Sequence, residues 1–164
     1  MDTEQAFGRI LLNLKALEFA LRVFLLDPVE AHSATCSLDI EKLDFGDWVP
    51  EDALTNYDSL GALVCKVNER LKVEGVPDRI DESLVDLRDA LAHGRLYSDR
   101  PKGGPFQLLK FSRAEKGQVQ VTTAILVTPQ WLTEQVKRTK SEVEKVVQVA
   151  RRLGNPCFPP NDLP

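Results

Sequence analysis

Helical spacing of apolar residues, repeated in separate segments, is the feature that most restricts the fold of this chain. From about residue 3 to 26, apolar side chains recur every three or four positions and so share one face of a helix. The same spacing predicts three further helices, at about 53–72, 79–93 and 129–153. Each of these helices has an apolar stripe that it must bury against another element.

Residues suited to capping mark the ends of these helices. Thr55 and Asp58 favour a capping box near the start of the second helix, and Asp78 is a suitable N-cap for the third. Gly94 is the natural residue just beyond the end of the third helix. Thr128-Pro129 supplies an N-cap and a first-turn proline to the fourth.

The period changes from helical to alternating before the last helix. "PFQLLKFSR" and "QVQVTTAILV", separated by "AEKG", predict two strands of a hairpin at about 106–127. We therefore predict a mainly α fold, an up-and-down bundle of four main helices with a β-hairpin inserted before the last. It forms a single domain over residues 1–153, with a long loop at 28–52 and a proline-rich tail at 154–164.

Composition and cysteine use predict a soluble, cytoplasmic protein. With 164 residues, 43% of them hydrophobic, the chain is long enough for one well-buried core. Its three cysteines are far apart and form no C-x-x-C pair, which fits a reducing compartment. The start of the chain is acidic and amphipathic, unlike a signal peptide, and no apolar run approaches the ~18 residues that span a bilayer.

Charge is unevenly distributed along the chain. The net charge of −4 argues against strong non-specific binding of nucleic acid. Residues 1–78 hold 7 basic and 15 acidic side chains, whereas residues 93–116 hold six basic side chains and two acidic ones. Any affinity for a polyanion must therefore come from this local basic patch.

The motifs of several enzyme classes are absent. The sequence has no P-loop, no dinucleotide-binding glycine motif, no H-E-x-x-H and no G-x-S-x-G. Its two isolated histidines, without paired cysteines, do not make a zinc site. We therefore expect neither a metal nor a cofactor.

One group of polar residues, at the end of the third helix, is suited to chemistry. Asp89 and His93 lie about 40° apart on a helix, so Asp89 is placed to orient the imidazole. Arg88 lies about 140° from His93, so one helix aims both at a single atom only if the long arginine reaches around or two copies of the helix meet in a dimer. The structural alternatives are a histidine that closes the helix, an arginine that snorkels and a solvated aspartate.

A carboxylate also falls within the apolar face of the first helix. Glu18 shares the arc of Leu14 and Leu21, where a carboxylate is costly unless it is paired. Arg22, one turn further on, is one available partner, and Arg88 is another. An arginine held by a carboxylate in this way is a preorganised phosphate clamp.

These residues resemble the R-x4–6-H motif of HEPN (higher eukaryotes and prokaryotes nucleotide-binding) domains. Here the motif reads Arg88, Asp89, Ala90, Leu91, Ala92, His93, and the surrounding "LRDALAHG" is typical of stand-alone bacterial HEPN-like proteins. An acidic residue in the first long helix, here Glu18, accompanies the motif in some branches. The order of helices over residues 3–153 also fits.

The resemblance implies a metal-independent endoribonuclease that acts as a homodimer, in toxin–antitoxin, phage-defence or RNA-processing systems. By the motif, His93 would be the general acid/base, Arg88 would bind the scissile phosphate, Asp89 would support the pair, and the product would carry a 2′,3′-cyclic phosphate. Glu18 and Arg22 would support this site. The predicted RNA contacts are Arg95, Arg100 and Lys102 to the backbone and Tyr97 to a base.

Two other functions fit the same residues. HEPN-like chains also serve as non-catalytic interaction modules, for example as a nucleotide-binding or regulatory partner in a defence operon. The ribonuclease, by contrast, would have a cognate antitoxin or another protein as its partner. The third possibility is an RNA-binding protein that does not cleave. If the protein does not bind RNA, the basic side chains of the hairpin form a solvated face. Cleavage of RNA in EDTA, and its loss in His93→Ala, separates these functions.

Overall fold

The computed structural model describes residues 2–26, 43–98 and 105–158, and within them the protein is mainly helical with a small antiparallel sheet. The helices are α1 (Thr3–Leu25), α2 (Leu60–Val73), α3 (Ser83–His93) and α4 (Pro129–Arg152). The strands are β1 (Arg95–Tyr97), β2 (Phe106–Phe111) and β3 (Val121–Val127). Most of the predicted loop 28–52 and the end of the predicted tail lie outside the described residues.

The chain divides into two compact units. The sheet unit comprises Met1–Leu14 and Glu82–Lys140, and the helical unit comprises Lys15–Asp81 and Ser141–Pro164. Helices α1 and α4 each contribute one end to each unit. That residues 1–153 behave as one domain stays a prediction.

The core of the sheet unit is formed by α1, α3, the sheet and the first half of α4. Its buried apolar side chains are Ala6, Ile10 and Leu14 from α1, Leu84, Leu87 and Ala90 from α3, Leu108 and Val127 from the sheet, and Leu132 from α4. Asn13 of α1 donates its side-chain amide to the Val136 carbonyl (3.2 Å) and to the hydroxyl of fully buried Thr139 (3.0 Å). The buried hydroxyl of Thr139 is therefore satisfied by a hydrogen bond inside the protein.

The three strands are antiparallel in the order β1-β2-β3. β2 and β3 lie within the two segments for which alternation predicts strands, whereas β1 has no sequence signal of its own. The register of β2 and β3 shifts between Lys110 and Phe111, so that Phe111 lies opposite Val121. Leu108 and Val127 are buried on one face of the sheet, which leaves the other face to solvent.

Gly94 allows β2 to pack closely against the end of α3. Its φ of −73° is an ordinary value, so the residue is not the left-handed helix terminator that the sequence suggests. A Cβ at this position would instead lie 2.8 Å from Leu108 Cδ1 and would also overlap the Ala90 carbonyl. Glycine is needed here for close approach rather than for an unusual backbone angle.

In the helical unit, the segment before α3 is not helical, so the predicted start of that helix at residue 79 is wrong. Asp78 forms an ion pair with Arg152 of α4 instead of capping a helix. The side chain of Asn68 in α2 forms two hydrogen bonds with the backbone of Ile80, donating to its carbonyl (3.1 Å) and accepting from its amide (2.7 Å). Glu142 accepts a hydrogen bond from the Asp81 amide. These long-range bonds outcompete the local helix signal.

The predicted capping box of α2 is also wrong, because the helix begins at Leu60. Ser59 is the N-cap, and its hydroxyl accepts from the Ala62 amide at 3.3 Å. Thr55 belongs to a turn in which Asp52 accepts from the backbone amides of Leu54 and Thr55. Short polar side chains bond nearby backbone amides both in turns and at helix N-caps, so the sequence alone does not distinguish the two.

No helix in the described part of the chain has the length and apolar character needed to cross a membrane. Cys65 is an exposed free thiol, whereas Cys157 is disulfide-bonded. A disulfide is not what a reducing compartment favours, so the cytoplasmic location stays a prediction.

Candidate functional site

Arg88 and Asp89 form a partly exposed ion pair on α3. Arg88 Nη1 lies 2.8 Å from Asp89 Oδ1, and the two side chains keep 30% and 33% of their exposure. The preceding and following turns of α3 anchor the helix through buried Leu84, Leu87 and Ala90. The guanidinium is therefore held at one corner but remains open to solvent.

A third charged residue, Lys110, joins this pair from β2. Its Nζ lies 3.8 Å from Asp89 Oδ2, and its side chain is 27% exposed. Lys110 belongs to the basic patch of residues 93–116 but is not among the site residues that the sequence predicts. Alternation in β2 was the available signal, since Leu108 and Lys110 share a face and a buried Leu108 turns that face towards the interior.

We call Arg88, Asp89 and Lys110 the Arg88 cluster. It contains two cations and one carboxylate, so its formal charge is +1. Partial exposure weakens each ion pair through solvent screening. An oxyanion that offers acceptors to both cations would meet a favourable local field.

His93 is the last residue of α3, and it is exposed. No ion pair or hydrogen bond joins the described side chains of His93 and Asp89, because Asp89 is bound to Arg88 and Lys110. The expectation that Asp89 orients the imidazole is therefore wrong in this single chain.

The predicted RNA-binding residues Arg95 and Tyr97 lie on β1, an edge strand of the sheet. Both are exposed, and the Arg95 guanidinium lies over the Phe111 ring, 5.4 Å from its centroid. Arg95 lies opposite Leu109, so it belongs to the sheet face that Lys110 does not share. Arg100 and Lys102 lie outside the described residues.

Glu18 and Arg22 form the i,i+4 pair that was one of the two alternatives for Glu18. Glu18 Oε1 lies 3.2 Å from Arg22 Nη2, and Lys15 lies 3.4 Å from the other carboxylate oxygen. Arg22 is only 11% exposed. Its remaining donors bind the loop before α2, namely the backbone carbonyls of Ala53, Asn56 and Asp58 and the side-chain oxygen of Asn56.

No family model, no curated protein and no solved structure matches the chain. Among the described residues, no group of three or more His, Cys, Asp or Glu side chains is arranged to hold a metal ion. The Arg88 cluster, with His93 on the same helix, is thus the candidate site that the geometry itself provides.

Proposed function

We propose that this protein is a metal-independent endoribonuclease of the HEPN type that cleaves single-stranded RNA through attack by the 2′-hydroxyl. The observation that carries the proposal is the Arg88 guanidinium, held by Asp89 yet 30% exposed, on the same helix as an exposed His93. A cation with free donors and a titratable imidazole are the two groups that this reaction requires.

The reaction divides between the two side chains. His93 takes the proton of the 2′-hydroxyl, the O2′–P bond forms and the P–O5′ bond breaks, and the leaving 5′-oxygen receives a proton. The products are a 2′,3′-cyclic phosphate and a 5′-hydroxyl. Arg88 binds the phosphate and stabilises the charge that develops on its oxygens, while Asp89 keeps the guanidinium in place. No second substrate is needed.

The proposed active form is a homodimer with a composite site. On one straight helix, Arg88 and His93 point about 140° apart. A two-fold axis close to the exposed side of α3 would bring the two copies of each residue into one cleft. One histidine would then act as base while the other protonates the leaving oxygen.

The RNA would approach this site across the edge strand β1. Arg95 follows His93 by two residues and Tyr97 is 58% exposed, so both are available to a strand that passes the end of α3. Tyr97 offers a stacking surface for a base, and Arg95 contacts the backbone. Arg100 and Lys102, which lie outside the described residues, are further proposed contacts to the RNA backbone. Glu18 and Arg22 stabilise the helical unit to which they belong.

The finer architecture and the biological setting belong to the same proposal. The four helices form an up-and-down bundle with the β2–β3 hairpin inserted before α4. The enzyme acts in the cytoplasm, in a toxin–antitoxin or phage-defence system. Its partners are RNA, a second copy of the chain and a cognate antitoxin.

The test is cleavage of a labelled single-stranded RNA in EDTA, with the ends of the products identified. Wild-type protein is expected to leave 2′,3′-cyclic phosphate ends, and His93→Ala is expected to reduce the rate about 100- to 10,000-fold. Because His93 is exposed, the thermal unfolding of the His93→Ala variant should match that of wild type. Gln130→Ala, an exposed change on α4, is a matched control that should cleave normally. Equal cleavage by wild type and His93→Ala would refute the assignment.

A second candidate function is a binding module that does not cleave. It is favoured by one observation, the engagement of Asp89 with Arg88 and Lys110 rather than with His93. In that case the protein binds RNA, a nucleotide or a protein partner through the same cations. Binding of RNA without any cyclic-phosphate product would favour this function.

A further inference from the structure

The packing of β2 against α3 places Lys110 beside the proposed catalytic arginine. Close approach at Gly94 seats Leu108 against the end of α3, and Lys110, two residues later, shares the same sheet face. The register of β2 and β3 shifts directly after Lys110. The Thr122 hydroxyl donates to the Lys110 carbonyl at 3.2 Å, which holds the backbone at this point.

The contact between Lys110 and Asp89 is too long for a hydrogen bond. At 3.8 Å it exceeds the 2.7–2.9 Å that is typical of a charge-assisted bond by about 1 Å. Among the described residues, Nζ of Lys110 donates no hydrogen bond. The ammonium is therefore attracted to the site by charge while its three donors remain available.

We infer that Lys110 is a phosphate-binding residue that works together with Arg88 on one RNA strand. This inference rests on the proposed function and names a contact that the motif does not include. The cluster has one more cation than carboxylates, so a phosphodiester would balance its charge. The compact ammonium serves as a point charge beside the planar fork of Arg88.

Asp89 keeps the two cations apart and in place when no anion is bound. It bridges them through different oxygens, Oδ1 to Arg88 and Oδ2 to Lys110. A phosphate that arrives between the two cations competes with the weaker of these contacts, which is the one to Lys110. Lys110 thus contributes to substrate binding, whereas Arg88 also contributes to the chemical step.

The experiment measures binding apart from cleavage. The probe is a labelled single-stranded 2′-O-methyl oligoribonucleotide, which lacks the nucleophilic hydroxyl. Loss of one phosphate contact lowers the slope of log K against log salt by about 0.7 for a single strand. Lys110→Gln is expected to show this change together with an affinity about tenfold weaker, whereas Lys110→Arg keeps the slope.

The control is Lys137→Gln, because Lys137 is an exposed lysine of α4 that lies outside the basic patch of residues 93–116. It should leave both affinity and slope unchanged. If Lys110→Gln fails to fold, Lys110→Met keeps the unbranched stem and gives the same test. An unchanged slope in the Lys110 variant overturns the inference, even where wild-type protein cleaves RNA.

The two proposals fail in different ways. Binding of the probe with the expected slope change, but without cleavage of ordinary RNA, supports the inference on Lys110 and overturns the nuclease. Cleavage of RNA by wild type, together with a salt slope for Lys110→Gln equal to that of wild type, supports the nuclease and overturns the inference on Lys110. A wild-type protein that neither binds the probe nor cleaves RNA overturns both.

Discussion

Arg22 and Arg88 each pair with a carboxylate on their own helix, yet their surroundings give them different roles. Arg22 is 11% exposed, and its donors are taken by Glu18 and by oxygens of the loop before α2. Arg88 is 30% exposed and pairs with Asp89. A guanidinium whose donors bind backbone carbonyls holds a loop, whereas one that keeps donors in reach of solvent can take a ligand.

Replacing Arg88 is expected to affect catalysis far more than stability. Arg88→Ala is expected to reduce RNA cleavage about 100- to 1,000-fold, because it removes the group that stabilises charge on the phosphate. The free energy of unfolding should change by only about 0.5 kcal/mol, because the side chain is part-exposed. Steady-state cleavage and urea denaturation give the two numbers. A large loss of stability would make Arg88 a structural residue like Arg22.

The complementary change, Arg22→Ala, is expected to destabilise the protein by roughly 3 kcal/mol. It removes the donors that satisfy the carbonyls of Ala53, Asn56 and Asp58 and leaves Glu18 without its buried partner. Arg22→Lys should recover only part of this loss, since an ammonium lacks the planar fork. Urea denaturation measures both variants. A midpoint equal to that of wild type contradicts the clamp described for Arg22.

Gly94 provides a test of the packing on which the Arg88 cluster depends. Gly94→Ala is expected to cost about 2 kcal/mol of unfolding free energy, since the new Cβ meets Leu108 and the Ala90 carbonyl. The matched control is Gly8→Ala in α1, where a Cβ meets nothing within 4 Å and alanine favours the helix. The control should be stabilised by about 0.5–1 kcal/mol. Thermal unfolding distinguishes them, and equal effects would exclude the close approach.

Asp89→Asn is expected to have the smallest effect. The amide keeps the shape of the side chain and loses the charge that holds Arg88, so cleavage should fall about tenfold while unfolding changes by less than about 1 kcal/mol. Single-turnover cleavage is the measurement. A loss as large as that of His93→Ala would instead give Asp89 a direct part in the reaction.

Part of the fold follows from local pattern. The first and last helices end within one residue of their predicted bounds, and Thr128 caps α4 by accepting from the Trp131 amide at 3.1 Å, as the sequence predicts. Strands β2 and β3 lie inside the predicted segments. These elements have long, regular apolar patterns, which depend only on neighbours in sequence.

Other features were decided by neighbours that are far away in sequence. Asp78 was predicted as a helix cap, but it is the partner of Arg152, 74 residues later. β1 is three residues long and exists as a strand because β2 pairs with it. Neither position has a local period that could have revealed these contacts.

The candidate site shows the same division. Arg88, Asp89 and His93 were identified from the sequence, because all three lie on one helix, where spacing in sequence gives their relative positions. It could not show that Asp89 would bind Lys110 rather than His93, since Lys110 reaches the site only when β2 packs on α3. The sequence by itself therefore determined which groups α3 carries and where the regular elements lie. Tertiary structure decided that Lys110 joins Arg88 at Asp89, because the electrostatic surroundings of a side chain depend on every charge brought near it by folding.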